Sequence, residues 1–357
     1  MYDEAIKLLN ILEENGYKAY IIGGYVRDKL LGIINDDIDI VTSAKPSEIG
    51  DIFNIELNDN YGSVKMSFNG YKYDITTFRK ESNYQDKRRP ENVEYVLTLE
   101  EDIKRRDFTI NAIAIDKNEE YIDLLDGITD LKNKVLKCIG NSDLKLKEDA
   151  LRILRALRFS SIYDLKLDKK LEDSIMQNKN LISNLSFDRI KKELDTVFST
   201  DKVNIYLNMI NYFDLYKTLQ IEPKNDVIIT NNYLSVWAQL KYSDNYKFSN
   251  YEKIYIDNIK EIIKNKINSY TVYKYDKDII KEANKIIKCN DIDQLYNNLI
   301  IKSKKDIDIT YDEILGIIKD KSIINKIYID LEKQILYNNL NNKKKDIISY
   351  IEGEYIE

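Results

Sequence analysis

Apolar positions near the start of the chain recur at helical spacing. Ala5, Leu8, Leu9 and Leu12 share one stripe, which predicts an amphipathic helix over residues 4–14, closed by Asn15-Gly16. The period then shortens. Lys18-Ala19-Tyr20-Ile21-Ile22 is a β-prone run that fits a buried strand, and Asp37-Ile38-Asp39-Ile40-Val41 alternates strictly. That alternation puts both aspartates on one face of a strand and the two isoleucines on the other. Between the strands, Gly23-Gly24 allows a tight turn with close approach of backbone to a ligand, and residues 26–31 read as a helix starting at the same spot. Further strands are expected over 63–68, 71–78 and 92–97, the first two joined by a hairpin turn at Asn69-Gly70. Together these predict a mixed sheet with a few helices, ending near residue 135.

From about Asp143 the texture changes. Only Gly316 and Gly353 follow Gly140, only Pro223 follows Pro90, and isoleucine, leucine and tyrosine recur every three or four residues, so the remainder reads as nearly all helix. The fold class is therefore α+β, a mixed-sheet head followed by an all-α remainder. Short basic runs at Lys302-Ser303-Lys304-Lys305 and Lys343-Lys344-Lys345 read first as solvated surface and second as contacts to phosphate.

Composition removes several kinds of chemistry. The 357 residues contain no histidine, so the usual general base and the commonest transition-metal ligand are both missing. Two cysteines, Cys138 and Cys289, give neither a disulfide framework nor a thiolate metal site. No apolar run approaches the roughly 20 residues that span a bilayer, and the acidic amphipathic start is unlike a signal peptide, which places the chain in the cytoplasm with no membrane partner. A net charge of −6 argues against indiscriminate coating of nucleic acid.

What remains is carboxylate, arginine and bound metal. Asp37 and Asp39, side by side next to a phosphate-binding turn, suit a hard divalent ion such as Mg²⁺. Asp74, on the alternating run Tyr73-Asp74-Ile75-Thr76-Thr77, is positioned to bring a third carboxylate, as in two-metal phosphoryl transfer. In Arg105-Arg106-Asp107-Phe108-Thr109-Ile110-Asn111-Ala112, the guanidinium groups of Arg105 and Arg106 read either as surface ion pairs or as bidentate contacts to phosphate or sugar oxygens. In Glu148-Asp149-Ala150-Leu151-Arg152, continuing to Arg155 and Arg158, a helix would gather Ala150, Ile153, Leu154 and Leu157 into an apolar stripe. Asp149, Arg152 and Arg155 would then stand opposite, within an arc of roughly 120°. This is either an ordinary amphipathic helix or a base-reading edge. Aspartate accepts from an exocyclic amine and arginine donates to the adjoining ring nitrogen, which would admit CTP and ATP and refuse UTP and GTP.

These motifs, in order, resemble class II tRNA nucleotidyltransferases, the CCA-adding enzymes, which share the polymerase-beta-like nucleotidyltransferase superfamily with bacterial poly(A) polymerases. The resemblance runs over residues 18–200. It rests on Gly-Gly-x-x-Arg-Asp at 23–28, Asp37 and Asp39, Thr77-Phe78-Arg79, Tyr84-Gln85-Asp86-Lys87-Arg88-Arg89-Pro90, the Arg-Arg-Asp-Phe-Thr-Ile-Asn-Ala run at 105–112, Asp126-Gly127 with Asp130-Leu131, Glu-Asp-x-x-Arg at 148–152, and Ser186-Phe187-Asp188-Arg189-Ile190. It implies Mg²⁺ on Asp37 and Asp39, and nucleotide contacts from Gly24, Arg27, Arg106, Asp149, Arg152, Arg155 and Arg158. Residues 81–92 resemble the flexible loop of enzymes that add the terminal A. The implied organisation is a catalytic head over 1–135, a helical neck with the nucleotide-selecting helix over 136–200, a body over 201–280 and a tRNA-binding tail over 281–357. The implied partners are tRNA, not DNA, with CTP and ATP as substrates. A-only addition, poly(A) synthesis and non-catalytic RNA binding are the competing expectations.

Overall fold

The computed structural model describes residues 1–55, 62–85, 89–224, 226–289, 292–318 and 320–356. The first helix, α1 (Tyr2–Glu14), buries Ala5, Leu8, Leu9 and Leu12 completely. Each of its three leucines contributes roughly 2 kcal/mol of transfer free energy. The chain then runs through β1 (Ala19–Ile22), α2 (Gly24–Leu30), β2 (Asp39–Thr42), α3 (Pro46–Phe53), β3 (Ser63–Phe68) and β4 (Tyr71–Thr77). The β3–β4 turn passes through Asn69 and Gly70, both at positive φ, where the sequence places a hairpin.

Six strands form one mixed sheet in the order β3-β4-β2-β1-β7-β8, where β7 is Ala114–Ile115 and β8 is Tyr121–Ile122. The β2–β4 pair is parallel and the other pairs are antiparallel. Ile21, Ile38, Ile40 and Ile75 face α1 in one apolar core, while Ile22, Val41 and Phe78 face a second core with Leu99 and Ile103. Alternation therefore sets Asp39 and Asp74 on the second face of the sheet, while Asp37, expected within the strand, lies two residues ahead of β2.

The strand expected over 92–97 does not join this sheet. Instead β5 (Arg79–Gln85) and β6 (Arg89–Tyr95) pair with each other as an antiparallel ribbon. So polar a stretch offers the main sheet nothing to bury, and it pairs with itself. Of the loop expected over 81–92, residues 86–88 lie outside the described residues.

The site depends on three further helices after α4 (Leu99–Ile103): α5 (Gly127–Lys132), α6 (Ser142–Glu148) and α7 (Leu151–Tyr163). Two compact units result, one of Met1–Val197 with Lys202–Asn225, the other of Phe198–Asp201 with Asp226–Glu357. The second unit is helical. Trp237 is fully buried among Phe198, Tyr242, Tyr246 and Phe248, and an isoleucine-rich core runs from Ile301 to Ile351. Among the described residues, no helix is long and apolar enough to cross a membrane.

Candidate active site

Gly23 ends β1 at φ +88°, a conformation that disfavours a side chain, and starts α2 pointing into a cleft of about 670 Å³. The cleft is lined by Gly23, Gly24, Arg27, Asp37, Asp39, Arg106, Asp149, Arg152, Arg155 and Arg158, so every expected nucleotide contact and both expected metal ligands meet there. Arg79, Arg105, Asn35, Asp107, Asn111 and Phe159 complete the wall. Seven arginines and four aspartates line it, with the carboxylates of Asp28, Asp102, Glu148 and Glu193 paired to arginines from outside the lining, so the wall is rich in guanidinium groups of the kind that bind oxyanions in bidentate fashion.

Burial, with Asp37 and Asp74 close by, pushes the Asp39 carboxyl up to about 6, while Arg106 pulls the other way. Arg106 and Asp39 both border this turn: a Cβ on Gly23 would lie 3.9 Å from Arg106 Nη1 and from Asp39 Oδ2, ordinary contact, so it is the positive φ and not crowding that calls for glycine. Arg106 is held from behind by Asp102, to which its Nε and Nη2 donate at 3.2 and 3.1 Å.

A pair of hard carboxylates with crowded negative charge fits a divalent cation, whose remaining ligands come from water and phosphate oxygens. Asp74 does not complete a three-carboxylate cage. It lies beside Asp39 in the parallel β2–β4 ladder, but its carboxylate accepts from the Ser63 hydroxyl on β3 and faces Lys65 Nζ at 4.0 Å. Among the described residues no three acidic, histidine or cysteine side chains converge on a metal position.

The helix expected to carry Asp149, Arg152 and Arg155 together is broken. Asp149 adopts an extended conformation at the end of α6, and α7 begins only at Leu151. Arg189, on the later helix Phe187–Phe198, draws the Asp149 carboxylate to itself at 2.9 and 3.1 Å. Arg152 is buried, and its guanidinium donates to the carbonyls of Lys145 and Arg105, at 2.8 and 3.2 Å, and to Glu148 Oε2 at 2.8 Å. The two proposed base readers thus line one cleft but do not present a joint edge.

The other arginines are anchored as well. Arg155 donates to Asp107 Oδ2 at 2.8 Å from Nε and 2.6 Å from Nη2, and Arg158 donates to Glu193 at 2.7 Å. Burial pulls the Asp107 carboxyl upward, but Arg155, Asn111 and the Phe108 N–H outweigh it and hold it at about 2. Each nitrogen of the Arg27 guanidinium donates to a protein partner, Asp28, Asn111 or Tyr163. Phe159 lies under three guanidinium carbons, those of Arg158, Arg27 and Arg155, at 4.4, 5.1 and 5.3 Å from its ring centre. Sequence reasoning gave no role to Asp107, Asn111, Phe159, Arg189 or Glu193. All but Phe159 are polar side chains inside quoted motifs or on the helix that follows the last one, and that is the signal that could have found them.

Comparison with known proteins fits this geometry. Residues 19–137 match the family described as the Poly A polymerase head domain. The chain is 34% identical to the CCA-adding enzyme of Ligilactobacillus salivarius, over 97% of this chain and 95% of that one. Its fold is similar to the crystal structure of the Bacillus stearothermophilus CCA-adding enzyme in complex with CTP, with a TM-score of 0.79 at 22% identity, covering 99% of this chain and 97% of that one. It is also similar to the Thermotoga maritima CCA-adding enzyme complexed with tRNA, with a TM-score of 0.66 at 20% identity, covering 98% and 94%.

Proposed function

The chain belongs to the family of CCA-adding enzymes, and from that premise we propose that it builds the CCA end of tRNA in the cytoplasm from CTP and ATP, without a nucleic-acid template. The observation that carries this reading is the single cleft in which the Asp37–Asp39 pair faces an arginine-rich wall. The tRNA 3′ hydroxyl loses its proton to solvent water as its oxygen forms a bond to the α-phosphorus, the bond to the bridging oxygen of the β-phosphate breaks, and pyrophosphate leaves with the electron pair. Mg²⁺, held by Asp37 and Asp39, supplies charge neutralisation at the phosphates and a lower pKa for the attacking hydroxyl. Asp74 keeps further negative charge close to Asp39 from the neighbouring strand.

Arg106 stands beside Asp39 and is placed for phosphate. Gly24 lets the triphosphate approach the start of α2. Arg155 and Arg158, fixed by Asp107 and Glu193, keep their charge in the wall without moving, as preorganised electrostatics requires. Asp149 and Arg152 select the base, and for this Asp149 must exchange Arg189 for the exocyclic amine of cytosine or adenine. The competition with Arg189 means that a base lacking that amine leaves Asp149 where it is. The helical remainder, as neck, body and tail, holds tRNA by shape and backbone charge.

The test is incorporation of each nucleotide singly on tRNA ending at the discriminator base, at C, at CC and at CCA. The expected result is C, C and A in turn and then arrest. Addition of A alone to the CC primer would mark an A-adding enzyme, continued growth with ATP a poly(A) polymerase, and no addition at all a binding protein.

A further inference from the structure

Asp37 lies ahead of β2, whose pairing with β1 begins at Asp39, so no sheet ladder fixes the backbone of this carboxylate. A side chain two residues earlier does so instead. The Asp37 N–H donates to Asn35 Oδ1 at 2.9 Å, and Asn35 Nδ2 donates to Asp28 Oδ2 at 2.7 Å. Asp28 is buried, and its other oxygen accepts from Arg27 Nε at 2.8 Å. Arg27 Nη2 donates to the Tyr163 hydroxyl at 2.5 Å, with the guanidinium 4.2 Å above the Tyr163 ring. Tyr163 is the last residue of α7, the helix that carries Arg152, Arg155 and Arg158. Within residues 31–37 every residue is exposed except Asn35, which is half-buried.

We propose that Asn35 and Tyr163 are positioning residues, the two ends of a hydrogen-bonded chain through Arg27 and Asp28 that sets where Asp37 stands relative to the base-selecting helix. This rests on the reading of Asp37 as a metal ligand. An amide suits the position because it donates at one end and accepts at the other. A carboxylate in its place would meet Asp28 with like charge, and an alanine would release Asp37 from the buried cluster. Partners that orient a ligating carboxylate in this way are worth about 10–100-fold in metal affinity or activity.

The test uses full-length protein carrying Asn35→Ala, Asn35→Asp, Tyr163→Phe, or Asn35→Ala with Tyr163→Phe. Mn²⁺ binding to nucleotide-free protein is read by electron paramagnetic resonance, alongside kcat, the KM for CTP and thermal melting. Asn35→Ala is expected to weaken Mn²⁺ binding and lower kcat by about tenfold, with the KM for CTP less affected, and Asn35→Asp to be at least as severe. Tyr163→Phe keeps its ring under Arg27 and is expected to act in the same direction. Because both residues act through one chain, the double variant should be no worse than Asn35→Ala. Parent-like Mn²⁺ binding in Asn35→Ala, or effects that multiply in the double variant, would overturn the proposal. Should Asn35→Ala melt lower than the parent, Tyr163→Phe carries the comparison. The Mn²⁺ measurement requires no tRNA extension, so failure of the tether and failure of the proposed function are separately visible.

Discussion

At the scale of single residues, the crowding of Asp39 has an opposite effect on stability and on activity. Its carboxyl titrates near 6 in the fold, against about 3.9 in an unfolded chain. A raised carboxyl binds its proton more tightly in the folded state, so its stabilising contribution is present at low pH and is lost as pH rises from about 4 through about 6. In metal-free protein at pH 7.5, Asp39→Asn is therefore expected to melt about 2–4 °C above the parent, which calorimetry in chelator checks, and in the presence of Mg²⁺ to have lost tRNA extension. Asp107 behaves in the reverse sense. Its carboxyl is held at about 2 by Arg155, so its contribution, on the order of 2 kcal/mol, is present above about pH 4 and is lost as pH falls towards 2. An acid titration of stability should be flatter in that window for Asp107→Asn than for the parent. Asp149→Ala and Arg152→Ala are both expected to relax the choice of C and A over U and G by at least about tenfold, read from UTP and GTP incorporation. Both should also lower the melting temperature, Asp149→Ala by breaking the pair with Arg189 and the bond from the Leu151 N–H, Arg152→Ala more strongly, because that guanidinium ties α6 to the Arg105 carbonyl. Full discrimination in both variants would remove them from base selection.

At the scale of elements, the cleft wall is braced by α5. The Asp123 carboxylate accepts from the N–H groups of Gly127 and Ile128, and Thr109 donates to Asp130, so α5 presses on the turn that carries Asn111. A Cβ at Gly127 would run into the Thr109 carbonyl. Gly127→Ala should thus cost about 1–3 kcal/mol in denaturant titration and weaken nucleotide binding through the displaced Asn111. Elements with a clean period were legible in the sequence: α1 by its four buried apolar residues, β2 by its alternation, and the β3–β4 hairpin by Asn69-Gly70. The break before α7 was not. The stripe of Ala150, Ile153, Leu154 and Leu157 runs across it undisturbed, and the residue that draws Asp149 away, Arg189, is forty positions further on. The two-residue strands β7 and β8 are too short for any period to register, and Asp74 was read from its strand face without the neighbour, Ser63, that engages its carboxylate.

At the scale of the whole molecule, every residue assigned a role lies in the first compact unit, and that is also where the ordered motifs lie. Chemistry constrains residue identity at fixed spacings, so residues that line one cleft could be picked out ahead of the structure. The second unit is held by interchangeable apolar packing around Trp237 and along the isoleucine-rich helices, and such packing writes helical periodicity without naming a partner. The central claim, that the paired aspartates of the head join nucleotides to the tRNA end, is tested most directly by following tRNA that lacks CCA in the presence of CTP and ATP. The parent is expected to add three nucleotides and stop, and Asp37→Ala with Asp39→Ala to add none while melting at or above the parent temperature. Extension by the double variant at the parent rate would contradict the account.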